Sequence, residues 1–422
     1  MRLLKKLPDF RIPLIFIILT ITGFSACDKE MGILDNEPKP IKLTTEQQLL
    51  LGNSSDFSFD LFREIINEAD KTENVFISPL SISIALAMTY NGAAGSTQAA
   101  MKKTMQLPDL SVKQINEAYL SLRNDLLSVD PKVILNIANS IWYREGFDVE
   151  VPFINANKTY YDAEVRDLDF DRPDAVTIIN NWVSDKTNNL IDKIIERITN
   201  QTVMILLNAI YFKGEWRYEF DKSETTSLPF HLENGQQITV PTMRQTGSFN
   251  YFEHELFSVA ELPYGRGNYS MLVFLPNTGK EVHEMVEVLN NKLWSEITDG
   301  LSFSRMLNIQ LPKFRFEFEQ ELNDVLISMG MGVAFSPAQA DFSGINPLEQ
   351  LFISEVKHKA FVEVNEEGTE AAAVTSVVIE RTSSGPNTPK AFFVDRPFVF
   401  AIKETYTNAI IFAGKVMEPV LE

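Results

Sequence analysis

The sequence predicts an α+β domain built around a large β-sheet. Three observations carry that expectation. The chain has 422 residues, 45% of them hydrophobic, which is enough to bury a sizeable core and too apolar for intrinsic disorder. Its first half mixes amphipathic helical patterns with extended ones, whereas later apolar segments read as strands. From residue 47 to residue 422 there is no second break in composition, no low-complexity tract and no fixed-period repeat, so one domain is expected there.

Taken in order, the chain opens on an address. Lys5, Lys6 and Arg11 precede an apolar run, Ile12 to Phe24. That run is short for a bilayer span but suits the apolar region of a secretory signal. Phe24-Ser25-Ala26-Cys27 resembles a bacterial lipobox, in which the cysteine is acylated and becomes the new N-terminus. Phe24 stands where that motif more often has Leu, and an ordinary signal peptide cut near Ala26 is the alternative. Residues 1–27 are therefore read as a leader, and Cys27 as the lipidation site. The expected location is the bacterial cell envelope, lipid-anchored at the periplasmic face or the cell surface, with acyl chains that tether without spanning. Residues 28–46, with Pro38 and Pro40 and little apolar content, are expected to form a flexible stalk.

Phe57 to Ala69 places Phe57, Phe59, Leu61, Phe62, Ile65 and Ile66 at helical spacings. Ser78-Pro79 starts a second helix, apolar through Tyr90 and stopped at Gly92. Strands are expected at Val203–Phe212, Met271–Leu275, Phe361–Val364, Pro397–Ile402 and Ala409–Phe412. Met271 to Leu275 is apolar without interruption, as for a strand buried on both faces.

Charge and motifs then exclude function classes. The net charge is −19, and the leader, with Arg2, Lys5, Lys6, Arg11 and Asp9, carries +3 of it, leaving −22 for the rest. A surface that acidic repels phosphate backbones, so no nucleic-acid partner is expected. One cysteine allows no internal disulfide framework and no thiolate metal cluster. His231, His254, His283 and His358 form no H-E-x-x-H pattern: Glu287 stands where the second histidine of His283-Glu284 would be. There is no G-x-S-x-G elbow, P-loop or G-x-G-x-x-G, and Gly265-Arg266-Gly267 reads as a loop. Nothing points to an enzyme, a metal or a cofactor.

The informative stretch is residues 366–396, which separates two strands by more residues than a compact domain usually leaves unstructured. From Gly368 to Glu380, read with period two, one face is Thr369, Ala371, Ala373, Thr375, Val377 and Ile379, with Glu370 and Glu380 on the other. The proximal side is thus written as a strand that a sheet could bury. The distal side, Thr382 to Lys390, is rich in Ser, Gly, Pro, Asn and Thr, suited to exposure and proteolysis. An ordinary strand followed by a loop, or an alanine-rich helical turn, fits the pattern equally well.

Glu366-Glu367-Gly368-Thr369-Glu370-Ala371-Ala372-Ala373 resembles the hinge of a serpin reactive-centre loop. Asn74 to Ser81, Asn208 to Trp216, Leu311 to Phe314, Val356 to Ala360, Asp395 to Phe400 and Phe412 to Val416 also resemble serpin segments, in the family's order. The resemblance covers nearly everything after residue 50. It implies a serpin fold: a large central mixed sheet, further sheets, surrounding helices and an exposed reactive-centre loop on a metastable domain. It also implies a suicide-type inhibitor. A target serine protease would form an acyl-enzyme on the loop, and the freed proximal segment would insert into the sheet before water deacylates it. The 15 residues from Gly368 to Thr382 would make a strand of roughly 50 Å. Thr369, Ala371 and Ala373, small and uncharged, favour insertion.

By the same resemblance Ser78, Ser81, Asn208 and His358 match the shutter beneath the parting strands. Trp216 and Lys313 match the breach where insertion begins, with Glu366 able to pair there. Counting from Gly368 puts the scissile bond at Thr382-Ser383, which suits an elastase-like or subtilisin-like protease. A frame one residue shorter uses Arg381-Thr382 and would invite a trypsin-like one. Val112 to Leu127, with Lys113, Arg123, Glu117 and Asp125, has no basic stripe for a heparin-type cofactor. The expected partner of this monomer is a serine protease. A non-inhibitory serpin-fold binding protein and an inhibitor of cysteine proteases are the alternatives.

Overall fold

The computed structural model describes residues 37–301, 304–369 and 388–421. In chain order the elements are α1 (Thr45–Glu68), β1 (Val75–Ile77), α2 (Pro79–Tyr90), α3 (Gly95–Thr104), α4 (Val112–Ser128), β2 (Val133–Arg144), α5 (Val151–Tyr161), β3 (Glu164–Leu168) and α6 (Ala175–Lys186). After them come β4 (Met204–Glu215), β5 (Thr226–His231), β6 (Gln237–Glu253), β7 (Phe257–Tyr264), β8 (Tyr269–Pro276), α7 (Val282–Val288), α8 (Asn291–Gly300), β9 (Ser304–Pro312), β10 (Phe314–Glu321) and the short α9 (Asn323–Leu326). The chain ends with β11 (Lys357–Val364), β12 (Gly368–Thr369), β13 (Lys390–Phe393), β14 (Phe398–Glu404) and β15 (Ile410–Val416).

Among the described residues the strands form two mixed sheets. One runs β10-β11-β12-β4-β2-β3; the other runs β1-β15-β14-β8-β7-β6-β9-β13, with β5 on β6. Only β2–β3 and β9–β13 pair parallel. The sheets meet through aromatic rings: Phe212 of β4 lies 5.7 Å from Tyr269 of β8 and 6.2 Å from Phe412 of β15, and Phe314 of β10 lies 5.3 Å from Phe400 of β14. Every residue of β8 is buried. Tyr269 and Phe274, five positions apart, face opposite ways. Tyr269 meets the other sheet, while Phe274 stacks on Trp294 of α8, which in turn touches Phe59 of α1. A strand covered on both sides has no polar register to keep, which is why its sequence is continuously apolar.

Two expectations need correction. The first helix begins at Thr45, twelve residues before Phe57, because Thr44 and Gln47 close a capping box that satisfies the first free backbone donors. Of the stalk expected over residues 28–46, residues 28–36 lie outside the described residues, and the part from Pro38 is folded onto the domain. The backbone N–H of Lys39 donates to Asn268 Oδ1 at 2.8 Å, and Asn268 Nδ2 donates to the Lys39 carbonyl at 2.7 Å. Tyr406 Oη donates to the Pro38 carbonyl, and Ile41 and Leu43 pack against the core. Two apolar residues, the Asn268 amide and the Tyr406 hydroxyl dock a strap that composition alone reads as a tether.

Candidate functional site

The site begins where β12 joins its sheet. Glu366 to Thr369 lie there. Glu370, Ala371, Ala372, Ala373, Arg381, Thr382 and Ser383, like Cys27, lie outside the described residues. Gly368 pairs with Glu215, and Thr369 with Gly214 on one side and Val364 on the other, so these two residues form an antiparallel strand between β4 and β11. The fit demands glycine at position 368: a Cβ there would stand 2.1 Å from the Gly214 carbonyl oxygen and 2.8 Å from the Glu215 Cα, both fixed backbone. Thr369 is 4% exposed, and its hydroxyl is hydrogen-bonded to Tyr264 Oη at 2.7 Å.

Trp216 organises the turn that precedes this strand. Its ring stacks on Tyr264 at 4.4 Å with the planes 10° apart, its backbone N–H donates to the Glu367 carbonyl at 2.8 Å, and its Nε1 donates to the Asn365 carbonyl at 2.9 Å. Asn365 Oδ1 accepts from the N–H groups of Glu367 and Gly368, holding residues 365–368 in a tight turn. Lys313 Nζ lies 2.8 Å from Glu366 Oε2, and Thr225 Oγ1 donates to Glu366 Oε1 at 2.8 Å. The Glu366 side chain is only 7% exposed. Burial pushes its carboxyl up, but the Lys313 and Thr225 bonds outweigh burial and hold it below the usual carboxylate range. Lys222 pairs with Glu367 on the exposed side.

A second polar cluster crosses the sheet lower down. Ser78 caps α2: its Oγ accepts from the Ser81 N–H at 3.1 Å and donates to the Ile411 carbonyl of β15 at 2.7 Å. Its backbone N–H donates to His358 Nε2 at 3.1 Å, which makes Nε2 the unprotonated nitrogen of a neutral ring. His358, on the inward register of β11, is 5% exposed, and burial pulls its pKa down to about 4. Ser81 Oγ donates to Asn208 Oδ1, Asn208 Nδ2 to Asn139 Oδ1 at 2.5 Å, and Asn139 Nδ2 to the Tyr161 carbonyl at 2.6 Å. The four residues matched to the shutter thus share one network that ties β11 to β4, β2 and α5 through the start of α2.

Between these clusters the sheet is parted. Among the described residues β4 and β11 are joined only through Gly368 and Thr369. Below them a cavity of about 340 Å³ opens, lined by Ser81, Leu207, Asn208, Val356 and His358 among others. Strand edges without a partner among the described residues are a template for a further strand.

Some contributors were missed from the sequence. Asn139 carries a detectable signal, because it is the polar residue on the inward positions of a strand whose other inward residues are Val133, Leu135, Ile137 and Ile141. Tyr264, Thr225, Asn365 and Lys222 carry none, since only the fold brings them to the turn.

The chain matches the serpin (serine protease inhibitor) family over residues 52–419. It belongs to the serpin family. A serpin-like protein of Thermococcus kodakarensis is 39% identical over 371 residues, covering 86% of this chain and 84% of that protein. The leukocyte elastase inhibitor of Homo sapiens is 34% identical over 386 residues, covering 88% of this chain and all of that protein. Among solved structures, native tengpin, a thermophilic serpin, superposes with a TM-score of 0.79 at 35% identity, covering 90% of this chain and 97% of that one. The architecture above is accordingly the serpin fold, with helices and mixed sheets. Serpins are mostly inhibitors rather than catalysts, and protease inhibition is the general activity this membership supports.

Proposed function

We propose that this serpin is a suicide-type inhibitor of serine endopeptidases. The protease serine attacks the Thr382 carbonyl, the Thr382–Ser383 amide breaks, Ser383 leaves with the new amine, and Thr382 remains esterified to the enzyme. Insertion of the freed segment then outruns hydrolysis of that ester. The observation that carries the reading is the register of β12. Continuing it antiparallel to β4 and β11 would bring Ala371 opposite Phe212 and Val362, and Thr375 opposite both Asn208 and His358. Small residues would meet the narrow upper seam, and a hydroxyl would arrive at the polar cluster, so the inserted strand leaves few buried polar groups without a partner.

An elastase-like or subtilisin-like target is favoured by the small residues at the scissile bond and by the likeness to leukocyte elastase inhibitors; Arg381–Thr382 would select a trypsin-like one. Lipid anchoring at Cys27 to the cell envelope belongs to the same reading. The test mixes the chain from Asp28 onward with elastase-like, subtilisin-like and trypsin-like serine proteases, and separately with a cysteine protease, on a denaturing gel. A denaturant-resistant adduct is expected, and the mass of the released C-terminal peptide selects Thr382 or Arg381. Intact mass of the full chain recovered from a bacterial envelope is expected to show acylated Cys27. Cleavage without adduct across serine proteases sinks the serine-protease reading. An adduct with a cysteine protease instead would move the target class, and none at all would leave a non-inhibitory binding protein.

A further inference from the structure

The chain between α6 and β4, residues 187–203, lies across the parted seam. Ile191, Ile194 and Ile195 are buried with Leu207 and Ala209 of β4 and with Ile179, Trp182 and Val183 of α6 in a core of their own, apart from the main one. Leu190 and Ile191 share a small cavity with Tyr211 of β4 and with Phe361 and Glu363 of β11. Ile194 and Ile195 line the larger cavity together with Asn208 and His358. A strand continuing from Thr369 has to pass this segment.

One side chain holds it down. Asn180, in the middle of α6 and 9% exposed, makes three hydrogen bonds to the backbone of residues 194 and 195. Its Oδ1 accepts from the Ile194 N–H at 2.9 Å and from the Ile195 N–H at 3.0 Å, and its Nδ2 donates to the Ile195 carbonyl at 2.8 Å. All three bonds are buried. Among the described residues, no other side chain bonds to the backbone at residues 194 and 195, whereas Thr187 and Arg144 hold the two ends of the segment through Ile191, Thr199 and Thr202. Among the described residues, the middle of the bridge over the slot is therefore hydrogen-bonded by a single side chain, on a helix, while Ile194 and Ile195 pack on Leu207 and Ala209 of β4.

We propose that Asn180 is a latch that sets the rate of strand insertion. It is a positioning residue: it touches neither protease nor scissile bond, and acts by keeping residues 194–195 seated over the slot. The inference rests on the insertion mechanism proposed above. Releasing the latch lowers the barrier to lifting the segment, so insertion accelerates while the intact protein becomes less stable. A merely structural side chain would lower stability and leave the insertion rate alone.

The test separates the two. Wild type, Asn180→Ala and the core control Ile115→Val in α4 are cleaved in the loop by a subtilisin-type protease. The rate of insertion is followed as the gain of resistance to denaturant after cleavage, and the melting temperature of each intact chain is measured. Asn180→Ala is expected to insert about tenfold faster or more, the equivalent of one net hydrogen bond, whereas Ile115→Val melts earlier but inserts at the wild-type rate. Should Asn180→Ala fail to fold, Asn180→Asp keeps the acceptor for both N–H groups, loses only the donor, and is expected to accelerate insertion less. Wild-type insertion with an unchanged or slower rate in the Asn180 variants overturns the latch alone. Wild type that is cleaved and never inserts overturns the insertion mechanism itself.

Discussion

At the scale of single residues, the neutral state of His358 makes the molecule sensitive to acid. Burial lowers its pKa from 6.5 to about 4, so the unfolded chain binds a proton more readily than the folded one. The stability this residue contributes is present in full above pH 6.5, falls as pH drops from 6.5 towards 4, and is gone below that. The window corresponds to about 3 kcal/mol. Denaturant unfolding at pH 7 and at pH 4.5 is expected to show wild type losing more stability than His358→Gln, and equal losses would mean that the ring is not the group that titrates. Glu366 acts in the same direction at lower pH: its folded carboxyl is held low by Lys313 and Thr225, so its contribution is lost as pH falls through that depressed value. Both residues were legible only through their resemblance to a family. Lys313 and Glu366 are 53 positions apart, and no spacing rule joins them. Tyr264, which stacks on Trp216 and bonds Thr369, was not legible at all, since a tyrosine before a turn looks like any other.

At the scale of elements, the continuously apolar strand announced itself better than the ends of helices. β8 follows directly from a continuous apolar run, because burial on both faces dictates that pattern, whereas only Phe361–Val364 of β11 was expected, its first half carrying Lys357, His358 and Lys359. The first three turns of α1 were missed because their buried positions include Gln47 and Ser55 while Leu49 faces solvent, which blurs the apolar stripe. The signal that could have found them was present: Thr44 followed three residues later by Gln47 is a capping box. That cap also ends the docked strap, so Thr44→Ala is expected to cost about 1 kcal/mol of stability by denaturant titration. A loss under roughly 0.3 kcal/mol would show that the strap, and not the cap, fixes the helix start. β12 is an element of a different kind. Its described residues, Gly368 and Thr369, can pair there because Gly368 lets the backbone approach Gly214 to within contact.

At the scale of the whole molecule, the proposed trapping is a race, and in it the loser is decided at Thr369. Cleavage needs only that a protease reach the distal loop. Trapping needs the proximal segment to follow Thr369 into the sheet while the ester survives. Thr369 is buried between β4 and β11 against the Tyr264 hydroxyl, where an arginine would have to strip water from its guanidinium; Glu363, which lines the small cavity beside Thr369, already lies 3.7 Å from Arg315. Burying an uncompensated charge costs several kcal/mol, enough to slow insertion by well over tenfold. Thr369→Arg is therefore expected to be cut at a rate within about twofold of wild type yet to yield little denaturant-resistant adduct, turning an inhibitor into a substrate. Thr369→Ser, which keeps the hydroxyl and the size, should trap almost as wild type does. Undiminished adduct from Thr369→Arg would mean that the strand does not begin its insertion where β12 lies, and the register that brings Thr375 to Asn208 and His358 would fall with it.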